Sequence, residues 1–314
     1  MKTAWLFPGQ GTQAVGMGQA LFEASAAARE VFERADRALG WSVSKLCFEG
    51  PESELVLTAN TQPAIVTASV AALAAIREAC PELAPPAFAA GHSLGEYSAL
   101  VASGALGLED AVRLVHARGR AMQEAVPEGE GAMAALMGAD ADTASALCAD
   151  AAPAGVVQPA NFNAPGQVVI AGSKAGVDRA VELARERKLK AIPLKVSAPF
   201  HCALMKPAAE RMREELAKVS FGALSFPVVS NVEARANTDR ERVADLLVRQ
   251  IDGPVRWQES VAFMADSGVE RALEIGPGKV LAGLVKRCDS RIAVHAVGDP
   301  DSVAKVREVV AARA

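Results

Sequence analysis

The chain has 314 residues, enough for two units or for one large domain carrying an insert. Hydrophobic residues make up 51% and charged residues 22%, so a sizeable core is available, and the formal charge is −4. That balance argues against a protein held on nucleic acid by a global basic field, and 4% aromatics argue against a base- or sugar-stacking surface.

In chain order, a strand over residues 3–7 runs into the turn Pro8-Gly9-Gln10-Gly11. The spacing of Leu21, Phe22, Ala28, Val31, Phe32 and Ala35 predicts one helix over 18–39. A second helix, alanine-rich and apolar on most sides, covers 60–79 and reads as a core helix. A buried strand over 87–91, a helix from Glu96 and an amphipathic helix over 108–125 follow. After Pro127-Glu128-Gly129-Glu130-Gly131 the pattern becomes strand 132–137, helix 142–149, strand 156–161, strand 167–171, helix 174–187 and strand 190–196. This β-α-β-β-α-β order is the ferredoxin-like signature. Alternation then resumes with a strand over 226–231 and helices over 239–250 and 261–266. A strand over 271–275, a helix ending at Lys286, a strand over 292–297 and a C-terminal helix complete the chain. The whole predicts a mostly parallel α/β sheet, built from 1–127 and 194–314, with a small α+β subdomain inserted at 128–193.

Cys47, Cys80, Cys148, Cys202 and Cys288 are scattered and form no C-x-x-C pair. They read as reduced thiols of a cytoplasmic chain, not as a disulfide framework or a zinc site. The N-terminus meets Pro8-Gly9 too soon for a signal-peptide core. The most apolar stretch, 63–76, falls short of the roughly 20 residues a bilayer needs.

The strongest local signal is Gly91-His92-Ser93-Leu94-Gly95, a G-x-S-x-G sequence between a strand and a helix. The serine must sit on a sharp, strained turn, so the residues two before and two after it need minimal side chains. The Leu94 N–H then points toward a developing oxyanion. A serine nucleophile needs a base, and there are four histidines. His92 lies inside the turn and is expected to point away from the serine's face. His116 is mid-helix and reads as surface or supporting, and His295 as a structural residue of a strand. His201 follows a strand end, where loops of α/β sheets build sites, and is the expected base. The adjacent Cys202 reads as a bystander thiol. Gln10, with flexible backbone and a side-chain amide, can supply a second oxyanion donor. Gly9-Gln10-Gly11-Thr12-Gln13-Ala14 also mimics a dinucleotide fingerprint, but the predicted helix continues to Leu39 where a second strand is needed. Gly276-Pro277-Gly278-Lys279 lacks P-loop spacing.

Taken together, Pro8-Gly9-Gln10-Gly11, Gly91-His92-Ser93-Leu94-Gly95-Glu96, Arg118-Gly119-Arg120-Ala121-Met122, Ala198-Pro199-Phe200-His201, Ser230-Asn231-Val232 and Glu274-Ile275-Gly276-Pro277-Gly278-Lys279-Val280-Leu281 make the chain resemble the malonyl-CoA:acyl carrier protein transacylases. The resemblance spans essentially the whole chain and is nearest to the stand-alone bacterial enzymes of type II fatty acid synthesis. It implies an α/β-hydrolase-like core with a ferredoxin-like insert. It also implies an acyltransferase that moves malonyl from coenzyme A to the phosphopantetheine thiol of acyl carrier protein. Ser93 is then the nucleophile, His201 the general acid/base, and Gln10 with the Leu94 N–H the oxyanion hole. Arg118 binds the malonyl carboxylate, the Gln250 carbonyl orients His201, and Phe200, Met122 and Asn161 shape the acyl pocket. The Phe200 ring should crowd a 2-methyl branch, a discrimination of about 1–3 kcal/mol.

The resemblance implies no metal and no cofactor. The implied partners are acyl carrier protein and coenzyme A thioesters, with no nucleic acid, no membrane and a monomeric state. A basic docking surface for an acidic carrier is expected at Arg185, Arg187, Lys188 and Lys190 or at Lys286 and Arg287. An acyl hydrolase using the same serine and histidine, a polyketide-pathway acyltransferase and a docking protein with a dead site remain as alternatives. A charged clamp at Arg118 speaks against a hydrolase of uncharged acyl chains, and the intact Ser93, His201, Gln10 and Arg118 speak against a dead site.

Overall fold

In the first strand, β1 (Lys2–Phe7), side chains alternate between two faces, as the strand period of two requires. Trp5 and Phe7 enter one apolar layer, and Ala4 and Leu6 enter the other. The computed structural model describes residues 2–194 and 196–311. Four helices follow β1: α1 (Gln19–Ala24), α2 (Ala26–Leu39), α3 (Val43–Glu49) and α4 (Glu52–Leu55). The single helix expected over 18–39 is therefore two. Ser25 leaves the helical region, with φ −126° and ψ 125°, and its Oγ accepts the Ala28 N–H at 3.0 Å. It ends α1 and caps α2. The short α3 and α4 were not anticipated, because neither is long enough for apolar periodicity to stand out.

Next come α5 (Thr58–Ala79), β2 (Phe88–Gly91), α6 (Gly95–Ala102) and α7 (Leu108–Glu124). By length and composition α5 could cross a membrane, yet 83% of its most apolar window is buried inside this molecule. It packs on α2 and α7 as the core helix its composition predicted.

The antiparallel sheet comes from β3 (Gly131–Met137), β4 (Val157–Ala164), β5 (Gln167–Ser173) and β6 (Lys190–Pro193), with α8 (Ala141–Ala151) and α9 (Lys174–Glu186) between them. Its order, β4-β5-β3-β6, is the ferredoxin-like one. Alternation again decides what each face meets. Ala134, Leu136, Val168 and Ile170 pack on α8 and α9, while Met133, Ala135, Val169 and Ala171 join the core of the larger sheet. The last strand stops at Pro193, short of the expected 196, and Lys195 lies outside the described residues.

The remaining elements are α10 (Lys206–Leu216), β7 (Val228–Val229), β8 (Ala236–Asn237), α11 (Val243–Asp252), α12 (Trp257–Asp266), β9 (Val269–Ile275), α13 (Val280–Cys288), β10 (Ala293–Val297) and α14 (Pro300–Ala311). The larger sheet runs β10-β9-β1-β2-β7-β8, parallel except that β8 is antiparallel to β7. Because β1 and β2 are parallel neighbours, the turns that follow them emerge at the same edge, where α/β sheets place their sites.

Two strand readings need correction. The strand expected over 226–231 is only Val228–Val229, since Asn231 turns away to make contacts described below. His295 is exposed on the edge strand β10 and is not a buried structural residue. The Gly276-Pro277-Gly278 turn has a structural role. Glu274, fully buried at the end of β9, accepts the Leu281 and Ala282 N–H groups at 2.9 and 2.7 Å and so caps α13.

Candidate active site

Between β2 and α6 the backbone turns at Ser93 with φ 52°, a left-handed conformation that a side chain adopts only at a cost. A Cβ on Gly91 would stand 1.9 Å from the Gly95 carbonyl carbon, and one on Gly95 would stand 2.3 Å from the Phe7 oxygen. The two glycines are thus steric requirements of the turn, as its sequence implied. Asn231 braces both ends of it. Its Oδ1 accepts the Ser93 N–H at 2.7 Å, and its Nδ2 donates to the Gly91 carbonyl at 2.7 Å.

His201, 3% exposed and also at positive φ (59°), places Nε2 2.8 Å from Ser93 Oγ. Its Nδ1 is 2.8 Å from the Gln250 carbonyl oxygen on α11. A carbonyl only accepts, so Nδ1 carries the proton and Nε2 is left as the acceptor that faces the serine. Burial, aided by the Arg118 charge, pushes the imidazole pKa down to about 3, so the ring is neutral at ordinary pH. Cys202 points elsewhere: its Sγ donates to the Pro199 carbonyl at 3.0 Å, and burial pushes the thiol up to about 11. It is not a rival nucleophile. His116 is half-buried and bonds the Ala59 carbonyl at 2.9 Å, a supporting contact.

Arg118, on α7, is 1% exposed. Its Nη1 donates to Gln62 Oε1 at 2.7 Å, and its Nη2 donates to Gln250 Oε1 at 2.8 Å and to Ser93 Oγ at 3.1 Å. Its Nε, also buried, has no hydrogen-bond partner among the described residues. None of these contacts is a carboxylate, although a buried guanidinium usually has one. Glu96 on α6 is the acid nearby, one amide away. Gln250 Nε2 donates to Glu96 Oε2 at 2.8 Å and to the Ser93 carbonyl at 3.0 Å. The same Glu96 oxygen accepts the Asn231 N–H at 3.0 Å. Burial pushes this carboxyl up to about 7, against those two hydrogen bonds and the Arg118 charge.

These groups face a cavity of about 420 Å³. Of the residues singled out in the sequence, Gln10, Ser93, Arg118, Met122, Asn161, Phe200 and His201 line it together. Leu94 is buried behind the turn, and Gln250 is fully buried behind Arg118. The Gln10 side chain is engaged with Thr58 Oγ1 at 3.3 Å. Its backbone N–H and that of Leu94 find no acceptor among the described residues, so both remain free to donate. His92 departs from expectation: it lines the cavity, with Nε2 2.8 Å from Asn163 Oδ1 and its ring 5.6 Å from Trp257. Sequence reasoning gave no role to Gln62, Glu96, Asn163 or Asn231. Glu96 and Asn231 were quoted only as motif letters, and their meaning depends on contacts across more than 130 positions.

The arrangement sets a serine hydroxyl against a neutral histidine beside a buried cation. Residues 4–305 match the family model described as acyl transferase domain. The chain is 48% identical over 307 residues to the malonyl CoA-acyl carrier protein transacylase of Escherichia coli K12, covering 98% of this chain and 99% of that one. It is 49% identical to the Bacillus subtilis protein of the same name, covering 96% and 95%. An acyl-carrier-protein S-malonyltransferase from Burkholderia pseudomallei superposes with a TM-score of 0.94 at 50% identity, over 98% of this chain and 100% of that one. A malonyl-transacylase solved in complex with its type II PKS acyl-carrier protein gives 0.94 at 45%, over 98% and 100%. This chain belongs to the acyl transferase family.

The neutral, low-pKa imidazole has a measurable consequence. The second-order rate of Ser93 phosphonylation by a fluorophosphonate should hold as pH falls through the ordinary histidine value of 6.5 and decline only well below it. A rate that halves near 6.5 would contradict the buried-base geometry.

Proposed function

We propose that this protein transfers a malonyl group from malonyl-CoA to the phosphopantetheine thiol of an acyl carrier protein through a malonyl-Ser93 intermediate. The observation that carries the reading is Arg118, a buried cation in hydrogen-bond contact with the nucleophile and touching no carboxylate of its own. Removing a guanidinium from water costs several kcal/mol when no anion compensates it. A substrate carrying a carboxylate recovers that cost, and an uncharged acyl chain does not. The guanidinium fork also matches a carboxylate with two parallel hydrogen bonds, which lysine cannot do. This favours transfer of a dicarboxylic monothioester over an esterase that acts on neutral chains.

Ser93 Oγ passes its proton to His201 Nε2 and attacks the thioester carbonyl, and the Gln10 and Leu94 N–H groups receive the oxyanion. As the intermediate collapses, the C–S bond breaks and His201 returns the proton to the coenzyme A sulfur. In the second half the phosphopantetheine thiol gives its proton to His201 and attacks the malonyl ester. Ser93 leaves and takes the proton back, so the kinetics are ping-pong. Phe200 and Met122 bound the acyl pocket beside Asn161, and the aromatic ring disfavours a 2-methyl branch. The two transfers need no metal and no cofactor.

The carrier reading is supported by the relative solved with its acyl-carrier protein and by a basic surface. Lys190 on β6 pairs with Met137, which pairs on its other side with Gln167. Gln167 in turn accepts a hydrogen bond from Arg287, so the two basic clusters named from the sequence lie side by side. Arg187 is engaged with Asp150, which leaves Arg185, Lys188, Lys190 and Lys286, all exposed, for an acidic partner. A cytoplasmic enzyme fits the five free cysteines.

Intact-mass measurement after mixing with malonyl-CoA should show one malonyl adduct, absent in Ser93→Ala. A wild-type protein without an adduct would overturn the covalent route. Arg118→Ala should lose on the order of 100-fold in kcat/KM for malonyl-CoA, the worth of a buried charged hydrogen-bond pair, while acetyl-CoA loses far less. Equal losses on both would refute the carboxylate clamp.

A further inference from the structure

We propose that Glu96 is a positioning residue for substrate carboxylate recognition. Through the side-chain amide of Gln250 it fixes the hydrogen-bonding face that Gln250 presents to Arg118. The inference deepens the malonyl reading and rests on it.

An amide side chain can adopt either of two orientations that differ by exchange of oxygen and nitrogen, and only its partners decide between them. Gln250 is fully buried, so those partners are all protein groups. On one side stands the Arg118 guanidinium, which only donates, at 2.8 Å from Oε1. On the other stands Glu96 Oε2, which only accepts when ionised, at 2.8 Å from Nε2. The Ser93 carbonyl, again only an acceptor, lies 3.0 Å from the same nitrogen. With Glu96 in place, the flipped amide would set donor against donor at Arg118 and acceptor against acceptor at Glu96.

Without that carboxylate, two of the three groups that oppose the flip remain, the Ser93 carbonyl and Arg118 itself. A flipped amide takes one of the three acceptors from Arg118 and turns two hydrogens toward its positive charge. Glu96 is itself held, since the Asn231 N–H donates to the same oxygen at 3.0 Å. It is 3% exposed, and no cation forms an ion pair with it among the described residues. Its carboxylate, when ionised, therefore stands one amide away from the guanidinium that receives the substrate. The chain Asn231–Glu96–Gln250–Arg118 joins the braced turn to the cation.

His201 depends on the main-chain carbonyl of Gln250, whereas Arg118 depends on its side chain. Loss of Glu96 should therefore fall on carboxylate binding more than on proton transfer. A merely structural Glu96 would affect every substrate alike, and that difference is what the experiment reads.

Steady-state kcat and KM are measured with malonyl-CoA and acetyl-CoA, using holo acyl carrier protein as acceptor, for wild type, Glu96→Met, Glu96→Gln and Gln250→Leu. Absence of malonyl turnover in the wild type would overturn the proposed function and this inference with it, so that control comes first. With turnover established, Glu96→Met is expected to raise KM for malonyl-CoA about tenfold, the scale of one charge-assisted hydrogen bond, with a much smaller change in kcat. The malonyl-over-acetyl preference should shrink by a similar factor. Glu96→Gln keeps an acceptor oxygen and should recover most of the malonyl KM. If Glu96→Met does not fold, Gln250→Leu, which retains the carbonyl that serves His201, should show the same selective rise. Parallel losses on malonyl and acetyl substrates, or an unchanged malonyl KM in the folded variants, would overturn the proposal.

Discussion

A guanidinium buried to 1% exposure with no carboxylate in contact is the constraint on which the rest of the site depends. Arg118 is held by two side-chain amide oxygens and the Ser93 hydroxyl, which solvate a cation but do not neutralise it. To keep it there the fold brings together α5 with Gln62, α7 with Arg118, α11 with Gln250 and the β2–α6 turn with Ser93. Ser93, His201 and Arg118 consequently share one cavity, and each restrains the others. Ser93 Oγ stands 2.8 Å from His201 Nε2 and accepts from Arg118, so its hydroxyl is oriented before any substrate arrives.

The strain in the site is met by neighbouring groups. Both Ser93 and His201 sit at positive φ. Such residues persist only where the surroundings over-determine them. Here Asn231 holds the turn at both ends, Gln250 bonds the Ser93 carbonyl, and the Gln250 main chain fixes the imidazole. Gln250 thus takes part in orienting the base, the cation and the strained turn. The sequence resemblance assigned it only the first of these. A backbone carbonyl in place of a carboxylate behind the histidine leaves the imidazole without a nearby negative partner, in keeping with its depressed pKa.

How much was legible follows from the range over which each signal acts. The Ser93 turn was readable because its steric demand lies within five consecutive residues. His201 was readable because only four histidines existed to choose from. The strand order of the insert followed from alternation and turn residues. The break at Ser25, the short helices α3 and α4 and the two-residue β7 were not readable, because each is decided by one cap or a single turn. Helix α10 carried a usable signal: Pro207 in its first turn and Ala208, Met212 and Leu216 at a spacing of four. The braces on the site were hidden for another reason. Asn231, Glu96 and Gln62 are polar residues whose partners lie 56 to 154 positions away, and no local pattern reports such pairs. His92 was misplaced by treating the turn as isolated, when Asn163 of β4 draws its ring onto the cavity wall.

The most direct measurement is a crystal structure of the acyl-enzyme formed by soaking malonyl-CoA into the protein. The account predicts density continuous with Ser93 Oγ, the malonyl carboxylate in two hydrogen bonds to the Arg118 guanidinium, and the ester oxygen facing the Gln10 and Leu94 N–H groups. An acyl group with its carboxylate turned to solvent, with Arg118 still bonded only to Gln62 and Gln250, would contradict it.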